Sequence, residues 1–210
     1  MAHPEGTRAV KVGVALARPP DEFGEWLADA AAFEAAGADA LFIDADALGI
    51  DAAPGRIDAA SGPGLDPLAL TAALAAVTFR SLLITGLPAA ESPAIAGTLG
   101  TIGRLSRGRL RILADGIPPG ELAALALHPG VFRRVPGDPG AFEHRHGPGE
   151  AERWISVPSP DSRAAWRQTL LDASARAPAG VLVPAGPRLL DILRHPDAPG
   201  GRHDLRLAQG

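Results

Sequence analysis

Several residues of this chain could do chemistry. Asp44 and Asp46 stand two residues apart, directly behind the apolar run of residues 40–43. Carboxylates at that spacing could polarise a bound substrate or act as a general base. The alternative is loop capping, because aspartate hydrogen-bonds its own backbone in turns. Arg104, Arg107, Arg109 and Arg111 place four positive charges within residues 104–111. A phosphate or another anion could use them. Arginines beside a helix end also cap its free carbonyls, and that is the role expected here. The stretch FEHRHG (residues 142–147) offers His144 and His146 beside Glu143. His-x-His can ligate a metal, but such sites need three or four rigidly held ligands. With no companion cluster in view and Gly/Pro-rich flanks, a solvated loop is expected. Over a binding mouth that loop could close as a lid and offer a histidine as acid or base.

These residues must be held by something, and the apolar patterning says what. VKVGVALA (residues 10–17) is short, β-branched and apolar throughout, the profile of a strand buried on both faces. Pro19 and Pro20 stop it. Phe23, Trp26, Leu27, Ala30, Ala31 and Phe33 then recur at helical spacing until Gly37. ALFID (40–44) is a second strand. Asp66 and Pro67 suit the N-cap and first turn of a helix running to Thr78. A third strand (81–87), a helix (93–105) and a fourth strand (109–115) follow. This alternation is the signature of βαβ units around a parallel sheet. The second half is less regular: a short helix (121–127), a Gly/Pro-broken stretch (128–150) with VFRRV as a doubtful strand, then strand 153–157, helix 161–175, strand 180–184 and helix 187–194. DLRLAQ (204–209) is a second doubtful strand. Trp26 and Trp166 fall on apolar helix faces, and Trp154 is placed to face a barrel interior.

Bulk composition narrows the class. With 210 residues, 46% hydrophobic and 21% charged, the chain suits one sizeable core, and no linker divides residues 1–210. A net charge of −4 argues against nucleic acid as the main partner. The chain has no cysteine, which excludes disulfides and fits a cytoplasmic protein. MAHPEGTRAV lacks the apolar core of a signal peptide, and no window reaches the ~20 apolar residues of a membrane span.

The order DPLALTAALAAVT (66–78), SLLITGL (81–87) and TIGRLSRGRLRI (101–112) resembles the bacterial luciferase-like, flavin-dependent monooxygenase family. Residues 10–115 carry the resemblance, and GVLVPAGPRLLDILRHP (180–196) is similar to later barrel segments. The chain departs from the family where Gly103 replaces an aspartate and Arg107 a glycine. Leu113-Ala114-Asp115-Gly116 also stands where a glycine- or asparagine-containing flavin segment is usual. The resemblance implies a small or incomplete (β/α)8 TIM barrel with FMN, or alternatively a deazaflavin, across the C-terminal mouth of the strands. It implies a homodimer packed through helices of the first half, and oxidation chemistry on a small organic substrate. By strand position it places Asp44, Thr85, Gly86, Asp115 and Gly116 beside the flavin. The chemistry would belong to the cofactor, so no catalytic triad is needed and no catalytic residue is named. The rival expectation is a non-catalytic relative that holds flavin or serves as an interaction partner. A mouth plugged by Phe132, Phe142 or Trp154 is expected to favour that rival.

Overall fold

The computed structural model describes residues 10–17, 23–43, 65–87, 93–115, 130–145, 151–176 and 178–196. Their elements are β1 (Lys11–Leu16), α1 (Phe23–Ala35), β2 (Ala40–Ile43), α2 (Pro67–Val77), β3 (Leu82–Gly86), α3 (Pro93–Leu105), β4 (Leu110–Leu113), β5 (Val131–Val135), β6 (Asp138–Arg145), β7 (Glu152–Ser156), α4 (Arg163–Arg176), β8 (Gly180–Pro184) and α5 (Pro187–Arg194). The eight strands close into a barrel in chain order. The architecture is a small TIM-like barrel of mixed strand direction. Closure is made by β8 against β1, in parallel register from Lys11↔Gly180 to Ala15↔Pro184. The barrel therefore closes without DLRLAQ, which lies outside the described residues, as does the expected helix 121–127.

Two expectations need correction. The stretch read as a Gly/Pro-broken loop contains β6. That strand runs antiparallel to both neighbours, pairing Phe132↔His144 on one side and Phe142↔Trp154 on the other. The remaining seams are parallel. The wall β5–β6–β7 is thus part of an antiparallel meander rather than a run of βα units. Antiparallel strands can be joined by a tight turn, and residues 136–137 make one, with Gly137 at φ 80°.

Each strand sends one row of side chains inward and the next outward. The outward row of β1–β3 and β8 includes Val12, Val14, Leu41, Leu83, Val181 and Val183. It packs on Phe33 of α1, Leu70 and Leu74 of α2, Trp166 of α4 and Leu189 and Ile192 of α5. A second cluster joins Leu110 and Ile112 of β4 to Leu99 and Ile102 of α3. Strands covered on both sides have no use for polar alternation, which is why ALFI and LRIL are buried at every position.

The arginine-rich joint ends α3 and starts β4. Arg107 (φ 54°) and Gly108 (φ 79°) are both left-handed, and the Gly108 N–H closes on the Gly103 carbonyl at 2.9 Å, an end common to helices. Arg109 does the capping expected of it, but on the neighbouring helix. Its guanidinium donates to the carbonyls of Thr78 (2.7 Å), Ser81 (2.9 Å) and Ala75 (3.4 Å), and its Nε to Ser106 (2.9 Å). Nearby, the buried Glu34 carboxylate accepts from the backbone N–H groups of Phe79, Arg80 and Ser81 at 2.7–3.0 Å. These two side chains lock the α2–β3 connection to the N-terminal end of the barrel.

Candidate functional site

Inside the barrel the inward rows supply Ala15, Ala40, Phe42, Ile84, Leu113, Phe132, Phe142, Trp154 and Leu182. Phe132 meets Phe42 edge-on (5.3 Å, 80°) and Trp154 likewise (5.7 Å, 68°), the arrangement that the ring quadrupole favours. Backbone positions without side chains make room for this. A Cβ on Gly180 would lie 2.6–2.8 Å from the Trp154 indole, and one on Gly13 would lie 3.1 Å from it and 3.3 Å from Phe42. Phe132, Phe142 and Trp154 thus fill the interior. Eight-stranded barrels are filled by side chains in general, whether or not a ligand lies over them. Filling therefore does not separate an enzyme from a non-catalytic relative, contrary to the expectation from sequence.

At the C-terminal mouth the ends of β3, β4 and β5 meet. Gly86 is on the inward row, level in register with Leu113, and among the described residues nothing lies within 4 Å of where its Cβ would be. Asp115 follows β4, and its Oδ2 accepts from the Arg134 Nε at 2.6 Å while Oδ1 accepts from the Arg134 backbone N–H at 3.0 Å. The guanidinium lies 5.6 Å over the Phe142 ring. Among the described residues the mouth thus combines a strand end without a side chain on β3, a cation aimed by a carboxylate, and an aromatic floor. Arg134 was not singled out from the sequence. Its alternation with Phe132 in VFRRV was the signal available.

Thr85 is fully buried but stands on the outward row between Ile43 and Ile112. Its hydroxyl lies 3.4 Å from the Gly86 carbonyl, so any contact from Thr85 to a ligand in the mouth would be made by its backbone. Asp44, Asp46, Gly116 and His146 lie outside the described residues.

His144 is not in a solvated loop. It is buried in β6 at the opposite, N-terminal end of the barrel, stacked on Phe132 (4.4 Å, 11°). That position also removes it from any lid over the mouth. Its Nδ1 is 3.4 Å from Glu152 Oε2, and Glu152 accepts from Lys11 Nζ at 2.9 and 2.8 Å. Burial pushes the imidazole pKa down, as do the Arg111 and Lys11 charges. The Glu152 hydrogen bond and charge oppose this without reversing it.

The chain matches no protein-family model and no curated protein. Among solved structures it is similar to the monooxygenase RslO1 from Streptomyces bottropensis, at 23% identity over 56% of this chain and TM-score 0.37. It spans 37% of that protein's length. It is also similar to tryptophan synthase from M. tuberculosis, at 15% identity over 90% of this chain and 92% of that one, with TM-score 0.47. The structural neighbours are enzymes, but likenesses this distant carry no argument about this chain.

Proposed function

We propose that this chain binds a flavin across the C-terminal mouth of its barrel and serves as a flavin-dependent oxidoreductase, a monooxygenase in the leading form, acting on a small organic molecule. The observation that carries the reading is the arrangement at the mouth: Gly86, with nothing among the described residues within 4 Å of where its Cβ would be, beside an arginine fixed by Asp115 over the Phe142 ring. These residues fit such a group. A residue without a Cβ lets a flat ring approach the strand backbone. The aromatic interior beneath gives it a water-free floor. Arg134 brings positive charge to the polar edge of a ring or to a phosphate, and Asp115 sets the direction of that charge. When bound, the flavin would supply the redox chemistry. FMN is the first candidate and a deazaflavin the second. The resemblance of residues 10–115 to a family of dimers makes a homodimer part of the reading.

One observation favours a second reading, a non-catalytic flavin holder. Asp115, the carboxylate beside Gly86 at the mouth, is committed to Arg134. A fluorescence titration with FMN tests the first reading. Micromolar, saturable quenching is expected for the wild type, at least tenfold weaker in Gly86→Trp, whose indole would project into the mouth. Binding unaffected by Gly86→Trp would remove the mouth from the account. Binding with no effect on the rate at which reduced FMN is reoxidised, at any substrate tried, would favour the holder.

A further inference from the structure

Inside the N-terminal end of the barrel, Arg111 carries a charge with which no described carboxylate is paired. Arg111 points into the barrel from the second position of β4 and is 9% exposed. One terminal nitrogen donates to the carbonyls of Gly108 and Leu110, both at 2.8 Å. Its Nε is buried with no hydrogen-bond partner among the described residues. No described carboxylate pairs with it. Glu152 is engaged by both Lys11 and His144. Asp39, at the start of β2, accepts from the Val12 N–H at 2.8 Å. Glu34 is filled by the N–H groups of residues 79–81. Among the described side chains facing the barrel interior at this end, Lys11 and Arg111 share the one carboxylate of Glu152, with His144 neutral. A buried charge without a partner is strongly unfavourable. A water molecule could satisfy Nε but could not offset the charge.

We propose that a small inorganic anion binds at this end of the barrel, held between the Arg111 guanidinium and Lys11. Lys11 gives two N–H groups to Glu152 and has a third to offer. The side chains of Lys11 and Glu152 are 30% and 24% exposed, which opens a way in from solvent. The charges of Arg111 and Lys11 also help to keep His144 neutral, since a further cation beside them would be repelled. This site is remote from the mouth and does not depend on the flavin reading.

The test is thermal unfolding of the full chain at constant ionic strength, replacing gluconate by chloride in one series and by inorganic phosphate in another. A saturable rise in melting temperature is expected in at least one series, which also identifies the anion class. In Arg111→Met, which keeps the length of the stem and loses the charge, the apparent affinity should fall at least tenfold. Lys11→Met should weaken it less. A wild type indifferent to both anions, or an Arg111→Met variant with an undiminished response, would overturn the proposal. Should Arg111→Met fail to fold, wild-type crystals soaked with bromide where chloride is the stabilising anion, or with arsenate where phosphate is, decide the matter. An anomalous peak in contact with the guanidinium supports the site, and none there overturns it.

Discussion

Glu34 and His144 show how single buried groups hold this barrel together. Burial pushes the Glu34 carboxyl up, but the backbone donors of Ser81, Arg80 and Phe79 together outweigh it and hold it below its ordinary 4.5. Glu34→Ala would leave those donors facing a cavity, at a cost of about 3 kcal/mol, measurable as a shift in urea midpoint at pH 7. A depressed carboxyl stabilises the fold above its unfolded pKa and ceases to do so as pH falls through the folded one. The gap between wild type and Glu34→Ala should therefore narrow below about pH 4.5. His144 follows the same protonation logic with the opposite charge, since the native state keeps it deprotonated and therefore neutral. Its folded pKa lies below the ordinary 6.5, so below about pH 6.5 the unfolded chain takes up a proton that the native state refuses. Stability should fall as pH drops through that window, and His144→Gln should flatten the slope. Urea midpoints from pH 8 to pH 5 check the two His144 expectations, and their extension to about pH 3 checks that for Glu34. Arginine capping was legible in the sequence, since arginines clustered at a helix end have few other uses. The burial of His144 was not, because it depends on Glu152 and Phe132 arriving from other strands and on Gly130. A Cβ at Gly130 would lie 2.3 Å from the imidazole Nε2.

At the scale of elements, the first half could be read because its strands are buried on both faces and α2 carries a cap. Asp66 Oδ1 accepts from the Leu68 N–H at 2.7 Å, with Pro67 in the first turn. β6 was hidden by its own start, DPGAFEHR. Proline and glycine there argue against a strand. The structure accommodates them where the pairing of β5 and β6 shifts register, between Arg134 and Val135, as irregular edges of a sheet commonly do. The period-two alternation of Phe142 and His144 inward with Glu143 and Arg145 outward was present in the sequence but too short to outweigh the breakers. The seam between β7 and β8 is equally specific. Gly180→Ala would press a methyl group into the Trp154 indole and should cost about 1–3 kcal/mol. Combined with Trp154→Phe it should cost less than the two single changes added together, since the residues touch. Denaturant midpoints of the four proteins test this, and strict additivity would contradict the packing described.

At the scale of the molecule, a barrel of this size is achieved by replacing helical connections with a meander. The five described helices cover β1–β4 and β8, and the β5–β6–β7 wall is built from strand pairing. No helix among the described residues is long and apolar enough to cross a membrane. The number of strands was nearly legible, since seven of the eight had a sequence signal. Their closure through β8 and β1 was not, because ring closure depends on tilt and stagger summed over all strands. The chemistry of the mouth was legible only in part. Gly86 and Asp115 stand at strand ends, where this architecture places its sites, while Arg134 became visible only once β5 was known to face inward.

The measurement that bears most directly on the account is a calorimetric titration of the folded protein with FMN and, separately, with a deazaflavin. One saturable site per chain of micromolar affinity is expected for at least one of them, weakened about tenfold or more in Arg134→Ala by loss of a charge-assisted contact. A folded protein that binds neither would contradict the assignment of a flavin to this barrel.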